Sequence, residues 1–193
     1  EALRERAGAR DRELDRSVAL KVMALSGRDD RRYRERFLRE SRLAASIDHP
    51  NVIPIYDAGE ADGCLYIAMR LVHGKRLDEF LHDEPALPVR LRIFEKICEA
   101  VAFAHSRGVI HCDLKPGNIM TGAFGEVFVM DWGIANNSLP PAGTPHYRCP
   151  EAVHTPRSDI FSLGRILLDF APLARPIAAI AARATAADPA ARY

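Results

Sequence analysis

The sequence predicts an α+β fold in two parts, a small β-rich part with one main helix and a mostly helical part. Three observations support this division. Short aliphatic stretches bounded by turn residues fill the first 72 residues, a long stretch at the helical spacing follows Gly74, and two further helical stretches close the chain. We therefore expect two domains, at residues 1–72 and 73–193.

The first part mixes strand and helix patterns. Its first strand is aliphatic and β-branched around a single cation, Lys21. The next stretch has apolar residues near the helical period among many charges, which is typical of an amphipathic helix, and a His-Pro-Asn sequence at 49–51 ends it. Two aliphatic stretches on either side of a turn at 61–63 predict a hairpin. The predicted elements are a strand at 17–23, a helix at 29–47, and strands at 52–59 and 64–72.

The second part is dominated by helix patterns. Apolar residues within 91–105 trace one face of a long helix that ends near Gly108. A short aliphatic strand then leads to Asp131, so this acid lies at a strand end, where loops carry chemistry. Residues 138–150 hold four of the thirteen prolines and predict a surface loop, and the pattern is helical again from Ser158.

Composition excludes several classes of protein. The chain has 193 residues, 48% of them hydrophobic, which is enough for a real core. With 27 basic and 26 acidic residues the net charge is +1, so we expect no nucleic-acid partner. No apolar run reaches the roughly 20 residues of a membrane helix. Four cysteines without a CxxC pair predict a reduced, cytoplasmic chain.

The stretch HCDLKPGNIM at 111–120 brings three different chemical groups together. It holds the carboxylate of Asp113, the ammonium of Lys115 and the carboxamide of Asn118. Phosphoryl transfer needs a carboxylate to meet the attacking hydroxyl, a cation to neutralise the phosphate, and oxygen ligands for magnesium. Asp131 supplies another such oxygen. The sequence therefore predicts chemistry on a phosphate.

A cation and an acid upstream complete the set. Lys21 can reach a phosphate if a carboxylate holds it in place, and Glu40 on the following helix is the candidate. Each residue also has a plainer interpretation. A single strand lysine is typical of a sheet edge, a helix glutamate is typical of a solvated ion pair, and Asp113 and Asn118 are both common turn formers. Only their joint occurrence, in order, favours a site.

Four motifs resemble those of the protein kinase family, specifically the bacterial eukaryotic-like Ser/Thr kinases. VALKVM is similar to the family's VAIK strand, HCDLKPGN to its HRDxxxxN catalytic loop, DWG to DFG and CPE to APE. The resemblance spans residues 9–193. It implies a bilobal fold, with the small lobe and hinge at 1–72 and the large lobe at 73–193, and a serine/threonine kinase that uses ATP and Mg²⁺.

The resemblance also implies a role for each matching residue. Lys21 would contact the α- and β-phosphates of ATP, and Glu40 would pair with it. Asp113 would act as the catalytic base, with Lys115 beside it to neutralise the transferred phosphate. The implied magnesium ligands are Asn118 and Asp131.

The adenine site and the acceptor site follow from the same resemblance. Ala19 and Met120 would lie on either side of the adenine ring, with Met69 as the gatekeeper and Val72 as the hydrogen-bonding position of the hinge. Thr144, in GTPHYRCPE, matches the Ser/Thr pattern of the family. The implied partners are therefore ATP and a protein substrate with a serine or threonine acceptor.

Three other positions have structural roles in the family. Asp159, in SDIFSLG, resembles the aspartate that ties down the catalytic loop. Arg192 resembles the arginine that pairs with Glu151 of the CPE motif. We expect both interactions in the structure.

The chain departs from the family in ways that bear on activity. Where a glycine-rich loop is expected, residues 1–15 contain one glycine, Gly8, so that loop is either truncated or lost. The strand entering the lysine strand is expected to begin near Ala9. Cys112 replaces the arginine of HRD, and only residues 132–148 separate the DWG aspartate from the CPE cysteine. We therefore expect no activation by loop phosphorylation.

These departures leave a rival hypothesis open, a catalytically silent pseudokinase that acts as a nucleotide- or protein-binding scaffold. A small-molecule phosphotransferase is disfavoured because GTPHYRCPE, at 143–151, resembles the segment that seats a peptide in protein kinases. The sequence also skips a late helix of the family after residue 170. It does not predict the oligomeric state.

Overall fold

The computed structural model describes residues 3–24, 30–132, 145–151, 154–170 and 175–193. The chain divides into two compact units, Glu1–Asp48 with Ile53–His73, and His49–Val52 with Gly74–Tyr193. The predicted α+β class is confirmed, since the first unit is rich in strands and the second in helices. The functional domains assigned to 1–72 and 73–193 stay a prediction. Across the described ranges, no helix is both long and apolar enough to cross a bilayer.

The first unit is an antiparallel sheet with one helix. Its elements are β1 (Leu3–Asp11), β2 (Arg16–Ala24), α1 (Asp30–Ala45), β3 (Ile55–Ala61) and β4 (Cys64–Arg70). The strands lie in the order β1-β2-β4-β3. The predicted strands and helix of this part are therefore present, with bounds that differ by a few residues.

β1 is longer than the sequence predicted. We expected the strand next to β2 to begin near Ala9, but pairing starts at Leu3, opposite Met23. The register shifts between Ala7 and Ala9, where Gly8 has a φ of +90°. Glycine adopts this conformation at little cost, and a bulge there breaks the alternation by which a strand is recognised. The expectation near Ala9 was wrong for this reason.

The core of the first unit lies between α1 and the sheet. Phe37 of α1 is 2% exposed, and Leu65 and Ile67 of β4 have no exposed surface. Full burial of each such side chain contributes about 1.5–3 kcal/mol. Phe37 therefore lies on the buried side of α1, whereas Arg31, Glu35 and Arg39 of the same helix are exposed to solvent.

The second unit contains a small sheet and the longer helices. Its elements are β5 (Gly74–Arg76), α2 (Leu77–His82), α3 (Leu87–Ser106), β6 (Ile119–Gly122), β7 (Val127–Val129), α4 (Pro156–Phe170) and α5 (Arg175–Ala184). The strand order is β5-β6-β7. β5 and α2 were not predicted, because three and six residues are too few to show a period.

The segment His49–Val52 belongs to this second unit because β7 holds it. The Asn51 side-chain amide donates to the Val127 carbonyl at 3.0 Å, and the Val129 amide donates to the Asn51 carbonyl at 2.8 Å. Asn51 is 9% exposed, so these bonds satisfy a buried polar group. The His-Pro-Asn sequence therefore does more than end α1.

Gly164 allows α4 and α5 to pack closely. A Cβ at Gly164 would lie 2.7 Å from the Ala184 Cβ and 2.8 Å from the Thr185 Cγ2. We expect Gly164→Val to lower the free energy of unfolding by about 2 kcal/mol or more through overpacking, measured by urea denaturation. Ala182→Val, at an exposed position of α5, should cost only its helix propensity, about 0.6 kcal/mol. Equal effects of the two substitutions would contradict the packing argument.

Candidate active site

Asp113, Lys115 and Asn118 converge in the loop between α3 and β6. The Lys115 Nζ donates to the Asp113 Oδ2 at 2.7 Å. The Asn118 Nδ2 donates to the Asp113 carbonyl at 2.8 Å and to its Oδ2 at 3.2 Å. The side chains of Asp113 and Lys115 remain about a quarter exposed, at 26% and 25%. A carboxylate oriented by two donors and still open to solvent is arranged to meet a ligand.

A buried carboxylate, that of Asp159, fixes the backbone of this loop. Asp159 of α4 is 1% exposed and accepts the backbone amides of His111 at 2.8 Å and Cys112 at 2.9 Å. It also accepts the Nε2–H of His105 at 2.8 Å. Cys112 has a φ of +69°, which is unfavourable for a residue with a side chain. The three hydrogen bonds offset that strain, and the expected role of Asp159 is confirmed.

The segment that carries Asp131 is joined to the same loop. The Met130 amide donates to the Asn118 carbonyl at 2.9 Å. The His111 ring donates from Nε2 to the Met130 carbonyl at 2.8 Å. A direct backbone hydrogen bond therefore joins the segments that carry the two predicted magnesium ligands, Asn118 and Asp131.

Oxygen is the donor type that this loop offers to a cation. The Asn118 Nδ2 is used by Asp113, so its Oδ1 is the atom suited to a hard metal ion, and Asp131 adds a carboxylate. In the portion of the chain that the structure describes, no three His, Cys, Asp or Glu residues cluster as in a zinc site. The residues present fit Mg²⁺, which keeps few protein ligands and shares the phosphates of its nucleotide.

Within the described residues, no cysteine lies in a disulfide or in a cluster that could hold a metal ion. All four are free. Burial, together with the charges of Glu99 and Glu95, raises the pKa of Cys98 to about 12. Burial also raises the pKa of Cys149. Thiols with such pKa values are protonated and unreactive at neutral pH.

The first unit places three predicted residues on one face of its sheet. Ala19 and Lys21 are two positions apart on β2, so their side chains project to the same side. Met69 of β4 is paired directly with Ala19, which puts its side chain on that face as well. Lys21 is only 9% exposed. An edge position is excluded for Lys21, because β1 and β4 pair with β2 on either side.

The remaining predicted residues are distributed over both units. Glu40 is on α1, and Val72 follows the end of β4, both in the first unit. Met120 is on β6 in the second unit, opposite Phe128 and Arg76. The sequence-predicted set is thus divided between the units, and Thr144 lies outside the described residues.

Sequence reasoning missed the residues that hold the segment before the CPE motif. The Tyr147 hydroxyl donates to the Asp169 carboxylate at 2.7 Å, and the Ser162 hydroxyl donates to the Tyr147 carbonyl at 2.9 Å. The Arg165 Nε donates to the His146 carbonyl at 2.9 Å. Burial and the bond to Asp169 raise the pKa of Tyr147. The sequence signal for these contacts was the helical spacing of three polar residues of α4, Ser162, Arg165 and Asp169, which places them on one side of the helix.

The predicted pairing of Arg192 with Glu151 is confirmed. Two nitrogens of the guanidinium contact the two carboxylate oxygens at 2.6 and 3.0 Å. The Arg192 side chain has no exposed area, and it also donates to the carbonyls of Ala186 and Arg157. Burial alone would raise the pKa of Glu151, but the bonds and charge of Arg192 outweigh it and lower that pKa to about 2. This bidentate pair holds the CPE segment against the end of the chain.

A protein-family model described as "Protein kinase domain" matches residues 7–188. The chain therefore belongs to the protein kinase family. The relatives that it resembles are bacterial serine/threonine-protein kinases. It is 38% identical to serine/threonine-protein kinase PrkC of Bacillus subtilis over 177 residues, 83% of this chain and 27% of that protein. It is 39% identical to PknB of Mycobacterium tuberculosis over 181 residues, 83% of this chain and 29% of that protein.

Solved structures show the same likeness. The kinase domain of PknI from Mycobacterium tuberculosis superposes with a TM-score of 0.73 at 29% identity, covering 92% of this chain and 80% of that one. This likeness confirms the kinase fold. The chain spans less than a third of the length of PrkC and PknB.

Proposed function

We propose that this chain is the catalytic domain of a serine/threonine protein kinase, which transfers the γ-phosphate of ATP to a serine or threonine hydroxyl with Mg²⁺. The observation that carries the proposal is the geometry around Asp113. Its carboxylate is oriented by Lys115 and Asn118, remains partly exposed, and lies in a loop tied to the buried Asp159.

In the proposed reaction the acceptor oxygen attacks the γ-phosphorus, the bond to the β–γ bridging oxygen breaks, and ADP leaves. Asp113 receives the hydroxyl proton. Lys115, 2.7 Å from that carboxylate, neutralises charge on the transferred phosphoryl group. Magnesium, when bound, neutralises the β- and γ-phosphates, and Asn118 and Asp131 would hold it.

The first unit would supply the nucleotide's other contacts. We assign Lys21 to the α- and β-phosphates, with Glu40 as its partner, and Ala19, Met69 and Val72 to the adenine. We also assign Met120 to the adenine, as the sequence predicted. Support comes from the shared face of Ala19, Lys21 and Met69 and from the burial of the lysine, since a buried ammonium needs an anion nearby.

A labelled-phosphate assay with a generic basic acceptor protein tests the proposal. We expect Mg²⁺-dependent transfer by the wild-type chain. Lys21→Met should reduce it about a hundredfold or more, as for loss of one preorganised charged donor. Lys75→Met is a matched control, because that lysine is 54% exposed and its ammonium pairs with Asp83, which is not one of the proposed site residues. Its activity should equal that of the wild type.

The scaffold hypothesis predicts a different result. A silent module would bind nucleotide in a thermal-shift or calorimetric titration, yet transfer no phosphate at any Mg²⁺ concentration. Transfer that survives Lys21→Met would contradict the assigned phosphate contact. We also place the reaction in the cytoplasm, which supplies ATP and keeps thiols reduced, because none of the four cysteines is in a disulfide.

A further inference from the structure

A short helical turn before the CPE motif, Pro145–Tyr147, is held by side chains of α4. The Tyr147 hydroxyl donates to the Asp169 carboxylate at 2.7 Å. Arg165 of the same helix contacts His146. The turn lies in the segment that resembles the peptide-seating part of protein kinases, so its shape bears on binding of the acceptor protein.

The Arg165 guanidinium holds His146 in two different ways. Its Nε donates to the His146 carbonyl at 2.9 Å, and this bond does not depend on the protonation of the ring. Its Nη2 lies 2.7 Å from the ring Nδ1 and 3.1 Å from the ring Nε2. Because a guanidinium can only donate, the shorter contact requires a lone pair on Nδ1. The imidazole in this arrangement is therefore neutral, with its proton on Nε2.

The other side of the His146 ring faces a carboxylate. The ring Nε2 lies 3.4 Å from the Asp169 Oδ1, and the two side chains are 45% and 28% exposed. A neutral ring thus turns its donor to an anion and its acceptor to the cation of Arg165. The two neighbours together fix the orientation of the ring.

Protonation of His146 would disturb this arrangement. Histidine ordinarily changes its charge between pH 5 and 8, and an imidazolium has no lone pair to accept from Arg165. Two cations would then lie side by side, and the imidazolium would compete for Asp169 with the Tyr147 hydroxyl. Burial, the bond to Asp169 and the charges of Asp169 and Asp78 raise the pKa of Tyr147, so this hydroxyl does not titrate in the same range.

We propose that Arg165 is a positioning residue for the acceptor protein, and that it holds the turn Pro145–Tyr147 fully only while His146 is neutral. The proposal rests on the proposed function and concerns its acceptor site. Arg165 acts through His146 and touches neither ATP nor the transferred phosphate. Binding of the acceptor therefore weakens as the pH falls and His146 takes up a proton.

Arg165→Met tests the positioning role. With a serine peptide that contains no histidine, the KM for the peptide at pH 7.5 should rise about three- to tenfold, as for loss of a hydrogen bond. The kcat and the KM for ATP should not change. Arg92→Met is the matched control, because Arg92 is an exposed arginine on a helix of the same unit, and its KM should equal that of the wild type. A fall in kcat without a change in the peptide KM would overturn the proposal.

The pH profile separates positioning from a merely structural effect. Between pH 7.5 and 5.5 the peptide KM of the wild type should rise by about the same three- to tenfold. His146→Asn places an oxygen near the position of Nδ1, which accepts from Arg165 but takes up no proton. This variant should keep the wild-type KM at pH 7.5 and lack that rise. Titration of ATP and of Asp113 is common to both proteins, so an equal rise in the two would overturn the proposal.

The state of the ring can be measured without activity. In a long-range ¹H–¹⁵N spectrum of the wild type at pH 7.5 without nucleotide, His146 should carry its proton on Nε2 and none on Nδ1. Its signals are assigned by their loss in His146→Asn. The Arg165 Nε–H signal, assigned by its loss in Arg165→Met, should shift with the same midpoint as the ring. A proton on Nδ1 at pH 7.5, or an Arg165 signal that does not follow the ring, would overturn the proposal. Absence of transfer by the wild type would count against the proposed function alone.

Discussion

Asp113→Asn is expected to lower phosphoryl transfer by at least about a hundredfold, with little change in the free energy of unfolding. A positioned general base contributes about 10²- to 10⁴-fold to a rate, and asparagine cannot take the proton of the acceptor hydroxyl. The substitution keeps the shape of the side chain and an oxygen for Lys115 to approach. Steady-state transfer and urea denaturation of the same preparations measure the two effects.

Asp83→Asn is a closely matched control for this substitution. Asp83 also accepts from a lysine, Lys75, at the same distance of 2.7 Å, and it belongs to the same unit. Its side chain is 53% exposed and lies outside the catalytic loop. We expect wild-type transfer from this variant. Equal losses in the two variants would mean that removal of a lysine–aspartate pair, and not loss of the base, causes the effect.

The catalytic loop could be predicted from the sequence because its groups are neighbours along the chain. Asp113, Lys115 and Asn118 lie within six positions, so turn geometry alone brings them together. The same holds for α3, whose period repeats over twenty residues. Local patterns of this kind can be predicted from the sequence because the structures that they form need no distant partner.

The support for that loop could not be predicted without the family resemblance. Asp159 is 48 positions from the amide of His111 that it accepts, and no local pattern marks a carboxylate as buried. Arg165 and His146 are likewise 19 positions apart and meet only after the segment folds onto α4. Long-range polar contacts depend on tertiary packing, which periodicity does not encode. β1 is the opposite case. It is a local element, but the bulge at Gly8 interrupts its alternating pattern, so its full length could not be predicted from the sequence.

Arg192→Met is expected to lower the free energy of unfolding by about 3–5 kcal/mol, the usual result of breaking a buried ion pair from one side. Methionine has nearly the same length but leaves the Glu151 carboxylate, 18% exposed, without its two guanidinium bonds. The carbonyls of Ala186 and Arg157 also lose a donor. Urea denaturation at pH 7 measures the change, with the buried Trp132 as an intrinsic fluorescence signal.

The pH dependence separates this pair from other causes of instability. The pKa of Glu151 falls from an ordinary value of 4.5 to about 2 in the folded state. A lowered folded pKa means stability that is fully present above about pH 5 and is lost as the pH falls through 4.5 towards 2, on the order of 3 kcal/mol in all. In Arg192→Met that part of the acid sensitivity should be largely absent.

A double variant, Glu151→Gln with Arg192→Met, decides whether the unpaired charge is the cause. Glutamine is uncharged, so the double variant leaves no unpaired carboxylate and should be more stable than Arg192→Met alone. Arg157→Met is the control, because Arg157 is exposed and its guanidinium donates to the Pro189 carbonyl, not to Glu151. It should cost less than about 1 kcal/mol. If the double variant is as unstable as Arg192→Met, lost packing of the arginine stem, and not an unpaired carboxylate, explains the effect.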